Sequence, residues 1–286
     1  MDKKNDPLRR RAKAKQESRR KKKRDRRQQY VDKICGQVAE KLKSFYSIVL
    51  GAGSYSPNIV LPFASFLKDY NEGFFSFEDR VILAILENIG TDSKYAVEFG
   101  AVDGITASTI RLFLNNGWNG LQMERKIRMI GPYYSEIKEE HTTAENINDL
   151  FQKYDVPCNL DVLSIDVDGN DYWIWNSLDA KYTPRVVIIE CNCSFDWQES
   201  KAIRYDPAYR KSNEEFTNYW GATPMAMLRL GKSKGYSLLY IKNRNAYFVL
   251  SKLLHPADRD IPLEHLYKRD MHPYRTGRTN KQWVVI

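Results

Sequence analysis

The sequence predicts an α/β protein with a seven-stranded, mostly parallel sheet, a terminal antiparallel hairpin and additional N-terminal helices. Three observations lead to this fold class. Short apolar runs alternate with helical patterns between residues 94 and 250, which is typical of parallel strands joined by helices. Only Asn243 and Arg244 separate the last two runs, so these two strands form a hairpin. Successive runs also end in acids, which parallel strands would bring to one edge of the sheet.

The individual elements follow from local patterns. Apolar residues recur at helical spacing over 29–50, and the breaker residues of Gly51–Asn58 indicate a loop. Ser76 is a suitable N-cap for a helix from Phe77 to about Asn88. Beyond it, we expect strands at 94–99, 119–124, 140–143, 161–166, 185–190, 236–242 and 245–250, and helices at 106–116, 127–139, 145–153, 170–178 and 222–234.

The positive charge of the chain is concentrated at the N-terminus. The formal net charge is +9, yet residues 1–28 alone contain 15 Lys/Arg and 4 Asp/Glu. Such a segment has too few apolar residues to bury a core, so we expect a disordered tail followed by a helical extension at 29–75 and one domain at 76–286. The tail could contact nucleic acid or another polyanion, could be a nuclear address in a eukaryote, or could serve only solubility.

Cysteine usage and hydropathy indicate the compartment. The four cysteines are too few and too scattered for a disulfide framework, and no His cluster accompanies them. No apolar run resembles a signal peptide or reaches the length of a transmembrane helix. We therefore expect an intracellular, cytoplasmic protein without a transmembrane segment.

The segment Val97–Gly104 is the first motif with chemical content. An apolar strand ends in Glu98 and leads through the turn Gly100-Ala101-Val102-Asp103-Gly104 into a helical pattern. A glycine-bearing turn before a helix N-terminus can cradle a ligand with backbone N–H groups. Glu98 would repel phosphates and attract an amine, and the Lys-Ser/Thr pair of a P-loop is missing. A ligand with an amino-acid end, a ribose and a base fits best, which indicates S-adenosylmethionine.

Two further strands end in acids, Glu124 and Asp166. Glu124 lies 20 residues beyond Gly104, the separation at which an acid binds a ribose diol in a βαβ unit. Pairing of Glu124 with Arg125 or Lys126 on the surface is the alternative. We favour the ribose role because the position at the strand end and the spacing agree on it.

The second motif is Ser164–Asp171, at the end of the fourth strand. Asp166 or Asp168 could act as a general base or orient a substrate hydroxyl. Alternatively, Asp168 and Asn170 could cap the following helix. With these acids, Glu190 and Asn192 at the next strand end could bind Mg²⁺, although direct hydrogen bonding to a substrate is favoured over a metal. The long aromatic loop 193–221 could be a lid or substrate wall, or could use its aromatics to fix itself to the body.

These motifs resemble those of the FkbM-type methyltransferases. The resemblance lies in Glu98–Gly104, Gln122–Glu124, Ile165–Tyr172 and Val187–Asn192, with further similarity around 148–150 and 221–249, and it covers roughly residues 76–250. It implies a Rossmann-like class I methyltransferase fold and O-methylation of sugar or polyketide hydroxyls with S-adenosylmethionine. By resemblance, Glu98, Gly100 and Gly104 hold the methionine end, Glu124 the ribose and Asp149 the adenine region.

One residue departs from the glycine-rich pattern, because Val102 stands in the turn where a glycine would make a left-handed conformation inexpensive. The leading hypothesis is an O-methyltransferase acting on a glycan or a small polyol. The alternatives are a nucleic-acid methyltransferase anchored by residues 1–28 and a non-catalytic binding protein that keeps the fold.

Overall fold

The computed structural model describes residues 77–102, 117–127, 136–210, 217–242, 244–267 and 281–286. All of them belong to the unit Asn58–Ile286. The predicted tail, the helices at 29–50 and 106–116, the loop Gly51–Asn58 and most of the helix at 127–139 lie outside the described residues. The proposed domain boundaries therefore stay predictions.

A seven-stranded sheet forms the centre of the described chain, as predicted. Its strands are β1 (Tyr95–Phe99), β2 (Asn119–Glu124), β3 (Lys138–Glu139), β4 (Val162–Ile165), β5 (Val186–Glu190), β7 (Tyr236–Lys242) and β8 (Asn245–Leu250). Their spatial order is β3-β2-β1-β4-β5-β8-β7, in which β8 runs antiparallel to both of its neighbours and the other described pairs are parallel. This is an α/β architecture compatible with a Rossmann-like fold.

The described helices are short. Thr223 caps one of them by accepting a hydrogen bond from the Ala226 N–H, and Pro224 occupies its first turn, which explains why it begins two residues later than predicted. The described helices are α1 (Phe77–Ile89), α2 (Ile147–Lys153), α3 (Asp171–Ser177), α4 (Pro224–Ser233) and α5 (Leu263–Leu266), with 3₁₀ turns at Ser251–Leu253 and Pro256–Asp258.

Two strand expectations need correction. Strand β3 lies at Lys138–Glu139, two residues before the predicted 140–143, where the chain is irregular. A second, two-stranded sheet was not predicted, and it pairs β6 (Lys201–Ile203) antiparallel with β9 (Trp283–Val285). Both segments have only three residues and lie about 80 residues apart, so neither carries a local alternation long enough to be recognised.

The core lies on both faces of the large sheet because successive strand residues point to opposite sides. On one face, Val97 and Phe99 pack with α2, α3 and α4. On the other face, Ala96 packs with the apolar side of α1 and with outer-strand residues such as Tyr247. Burial on both faces explains why all but one residue of β4 and of β5 are apolar. The strand ends and the loops that follow them are left to form a site.

Candidate functional site

The turn after β1 is fixed to the neighbouring strand at the carboxyl edge, the edge at which the parallel strands end. The N–H groups of Gly100 and Ala101 both donate to the Met123 carbonyl, at 3.0 and 3.1 Å. Val102 has a φ of 47°, so the left-handed conformation expected to be costly there is nevertheless adopted. The Val102 N–H donates to Glu124 Oε2 at 3.0 Å. The turn therefore reaches Glu124 directly.

Glu98 lies at the base of this turn and is 2% exposed. The register places it beside Gln122 of β2, whose Nε2 donates to Glu98 Oε2 at 2.9 Å. A buried carboxylate needs hydrogen-bond donors, and this amide supplies one of them. The pairing fixes the orientation of the Glu98 side chain.

Among the described residues, the Glu124 carboxylate accepts hydrogen bonds from backbone N–H groups and forms no ion pair. Its Oε2 accepts from Val102, and its Oε1 accepts from the Lys126 N–H at 3.3 Å. Within the described part of the chain, neither the Arg125 nor the Lys126 side chain pairs with it. An ionised carboxylate offers about four acceptor positions, so each oxygen keeps capacity for one more donor.

The loop after β4 supplies three of the acids. Asp166 and Asp168 are exposed, and Asp168 has a φ of 63°. Asp171 is fully buried at the start of α3 and accepts from the Val167 and Gly169 N–H groups, each at 2.8 Å. Burial first, and the nearby Glu190 carboxylate second, raise the Asp171 pKa from 3.8 to about 7.

The predicted helix cap is not formed by Asn170. This residue occupies the N-cap position of α3, but its side chain makes no capping hydrogen bond. Its Nδ2 donates instead to the Asp206 carbonyl at 2.7 Å. The Asn170 side chain therefore connects the β4 loop to the long aromatic loop.

Asp166, Asp168 and Glu190 converge. Each offers one carboxylate oxygen, and the three oxygens lie within 4.8 Å of one another. Three carboxylates this close together repel one another when ionised. Glu190 is 6% exposed, so water screens this repulsion only in part. A bound proton, a hydrogen-bond donor of a ligand or a hard cation would relieve it.

The Asn192 side chain is hydrogen-bonded to the backbone at both ends of the long loop. Its Nδ2 donates to the Asn218 and Trp220 carbonyls, at 2.8 and 2.7 Å, and its Oδ1 accepts from Ser194 N–H at 3.1 Å. Both N–H donors of the amide are thus engaged by backbone. Asn192 fixes the two ends of the long loop to each other.

The long loop lies across the carboxyl edge. The ring of Tyr209 stands against Gly169, where a Cβ would come within 2.3 Å of a ring carbon. The Tyr209 hydroxyl donates to the Tyr219 carbonyl at 2.7 Å. The backbone carbonyl of Tyr209 accepts from Arg125 Nη1 at 3.3 Å. The aromatic side chains thus attach the loop to the rest of the described chain. The Tyr209 ring also lies next to the loop that carries Asp166 and Asp168.

Three predicted cofactor residues are not placed with the others. Asp103 and Gly104 lie outside the described residues. Asp149 is exposed in the first turn of α2, and the adjacent Asn148 bonds to the Ser177 carbonyl and the Asp179 N–H at the far end of α3. The adenine role of Asp149 stays a prediction.

Arg125, His141 and Arg210 were not identified as a group in the sequence analysis. Arg125 follows β2 and Arg210 follows Tyr209, and His141 lies just beyond β3. Arg125 entered the sequence interpretation only as a partner for Glu124. No local signal connects it with Arg210, because 84 residues separate Arg125 from Tyr209.

Comparisons with known proteins give no family for this chain. No protein-family model matches it, and no curated protein matches it either. Among the helices that the structure describes, none has the length and apolar character needed to cross a membrane. The fold and the geometry of the site therefore carry the functional assignment.

Proposed function

We propose that this protein is an S-adenosylmethionine-dependent methyltransferase that methylates a hydroxyl of a sugar, a glycan or a small polyol. The observation that carries the proposal is the contact between the turn after β1 and Glu124 at the end of β2. It occurs at the carboxyl edge of a parallel sheet completed by a reversed hairpin, the layout expected of class I methyltransferases. Ligands of open α/β sheets bind at this edge.

The chain fits the cofactor at two points. Glu124 keeps one acceptor position on each oxygen, which suits the two hydroxyls of a ribose. Glu98 is a buried carboxylate oriented by Gln122 at the base of the glycine turn, which suits an ammonium group. When bound, the cofactor supplies a methyl group on a sulfonium.

The acceptor side requires positioning and removal of one proton. Asp166 and Asp168 are exposed at the strand end, so either carboxylate can accept the proton of the attacking hydroxyl. Glu190 would hold the acceptor by hydrogen bonding, and Asn192 would maintain the loop that walls the site. Asp166 also borders the Gly100 turn and belongs to both halves of the site.

Cofactor binding is the first test. Calorimetric titration of the full chain with S-adenosylmethionine and S-adenosylhomocysteine should detect binding, and a ligand at a hundred times its Kd should stabilise the fold by about 2.7 kcal/mol. Glu124→Gln should weaken binding about tenfold or more because it removes a charged acceptor. Glu264→Gln, at an exposed carboxylate of α5, is the matched control. No binding of either ligand at millimolar concentration would overturn the proposal.

Methyl transfer is the second test. Transfer from labelled cofactor to a panel of sugars and polyols should fall about a hundredfold or more in Asp166→Asn or Asp168→Asn, whichever is the base. Asp168→Asn should change cofactor affinity little. Binding without transfer to any acceptor would favour the non-catalytic alternative. Transfer to oligonucleotides that is lost on deleting residues 1–28 would favour the nucleic-acid alternative, since the polyanion role of that tail stays a prediction.

A further inference from the structure

A cationic cluster lies at the carboxyl ends of β2 and β3, beside the acids but distinct from them. Arg125 directly follows β2, and His141 is two residues beyond the end of β3. The ladder between these strands continues past their ends, because the Glu140 N–H donates to the Glu124 carbonyl at 3.0 Å. The register therefore places Arg125 beside Glu140, the residue that precedes His141.

The long loop brings Arg210 to the same place. Arg125 Nη1 donates to the carbonyl of Tyr209, the residue bonded to Arg210. Electrostatics agrees with this proximity. The pKa of Arg125 is lowered, mainly by burial and further by Arg210. The pKa of His141 is lowered by burial, by Arg125 and by Arg210, and Glu145 opposes this shift with a weaker effect. Arg125 and His141 therefore each lie close to other positive charge.

Three carboxylates in this part of the chain make their hydrogen bonds with groups other than the cluster. Glu124 accepts from backbone N–H groups, Glu140 from Lys153 and Tyr154, and Glu145 from the Tyr205 hydroxyl. Within the described part of the chain, neither arginine forms an ion pair, and the Arg210 guanidinium makes no hydrogen bond. Most of the N–H donors of the two guanidinium groups are thus directed to solvent or a ligand.

We propose that Arg125, Arg210 and His141 form a binding site for a tetrahedral oxyanion, phosphate or sulfate, at the carboxyl edge of β2 and β3. Two guanidinium groups can donate pairs of parallel N–H bonds to such an anion, and the imidazole adds a further donor. Arg125 is partly buried and fixed by the Tyr209 carbonyl, so its orientation is set before binding. The anion removes the repulsion that the three groups otherwise exert on one another.

Tyr209 connects this site with the acids of β4. Its carbonyl accepts from Arg125, and its ring lies on Gly169, one residue from Asp168. If the methyl acceptor carries a phosphate or sulfate group, this site would hold the acceptor beside the carboxylates that are proposed to take the proton of its hydroxyl. The site itself does not depend on methyl transfer and can be tested without the cofactor.

Binding of inorganic phosphate and of inorganic sulfate to the full chain is the direct test, measured by calorimetry at low ionic strength. Arg125→Gln and Arg210→Gln should each weaken binding about tenfold or more. Arg210 is exposed and makes no hydrogen bond in the part of the chain that the structure describes, so we expect its replacement to leave the fold intact. The control is Lys252→Gln, at an exposed cation beyond β8, at the opposite edge of the sheet, and it should leave binding unchanged.

The His141 ring provides a readout that a purely structural role would not move. In NMR titrations, saturating phosphate should raise the His141 pKa because the anion favours the imidazolium against Arg125 and Arg210. The resonance is identified by its loss in His141→Gln. The same experiment in Arg210→Gln should show a smaller rise.

Glucose and glucose 6-phosphate distinguish the sources of the anion. Tighter binding of the sugar phosphate than of inorganic phosphate, with no competition by glucose, assigns the site to a phosphorylated acceptor, whereas equal binding assigns it to the free ion. Either result supports the oxyanion site. Absence of phosphate and sulfate binding, or equal affinities in the wild type and both arginine variants, would overturn it.

Discussion

Gly100 lies so close to Asp166 that a Cβ on the glycine would stand 1.7 Å from the Asp166 carbonyl oxygen. The φ of Gly100 is 81°, a conformation that side chains rarely adopt. The Asp166 N–H in turn donates to the Phe99 carbonyl at 3.2 Å. The turn after β1 and the loop after β4 are therefore joined through backbone, and the glycine permits the approach that brings the cofactor half and the acceptor half of the site together.

Gly100→Ala should destabilise the protein by roughly 3 kcal/mol or more, because backbone atoms must move and the left-handed strain adds to the clash. Urea unfolding measures the loss. Gly117→Ala is the matched control, since Gly117 has a φ of 84° but no atom of the described residues within 4 Å of the added Cβ. It should cost only about 1 kcal/mol. Equal losses in the two variants would show that the contact with Asp166 does not matter.

Val102→Gly should leave the stability almost unchanged, although it removes a partly covered side chain. A β-branched residue at positive φ costs about 1–2 kcal/mol, and the added flexibility of glycine offsets about 0.5–1 kcal/mol of the relief. Val102 is 42% exposed, so the loss of its covered apolar surface offsets about 1 kcal/mol more. We expect the free energy of unfolding in urea to change by no more than about 0.5 kcal/mol.

Val285→Gly is the control for Val102→Gly. Val285 is 84% exposed in β9, where a β-branched residue is favoured, so its replacement should destabilise. If Val102→Gly behaves like this control, the left-handed turn carries no strain. Strain of this kind tends to persist where a site over-determines the backbone, which is consistent with the position of Val102 beside Glu124.

The elements that the sequence predicts well are those with long local patterns. The runs at β4, β5, β7 and β8 are mostly apolar because both sheet faces are covered, and their positions are confirmed to within one residue. The convergence of Asp166 and Glu190 followed from the rule that parallel strands end at one edge. Long-range contacts were beyond this reasoning, since nothing local links Arg125 to Tyr209 or β6 to β9.

The contact between Gly169 and Tyr209 should be detectable as an energetic coupling. A Cβ at Gly169 would come within 2.3 Å of the ring, so Gly169→Ala must displace Tyr209 as well as strain a φ of 154°. In the Tyr209→Ala background only the backbone strain remains. We expect Gly169→Ala to cost about 1–3 kcal/mol less in that background than in the wild type.

A double-mutant cycle in urea measures this coupling. Gly235→Ala provides the matched control, because Gly235 has a φ of 83° with nothing near its Cβ, and its cost should be the same with and without Tyr209. Equal costs of Gly169→Ala in both backgrounds would mean that the loop does not rest on the β4 turn. Tyr209 would then not pack against the loop that carries Asp166 and Asp168.

Asp171 gives the fold a characteristic pH dependence. Its folded-state pKa is raised from 3.8 to about 7, mainly by burial and further by Glu190. Between these two values the folded protein holds a proton that the unfolded chain has released. The resulting stabilisation is fully present below about pH 3.8 and is lost as the pH rises toward 7.

Asp171→Asn should abolish this component, since an amide does not titrate in this range. The free energy of unfolding of the wild type minus that of the variant should fall by an amount on the order of a few kcal/mol between pH 4.5 and 7, then level off. Urea unfolding at pH 4.5, 6 and 8 in buffer with a chelator measures the difference. Asp149→Asn, which removes an exposed carboxyl of α2, tests whether the effect belongs to Asp171. A difference that stays constant from pH 4.5 to 8 would mean that Asp171 remains ionised in the folded protein, held by the N–H groups of Val167 and Gly169.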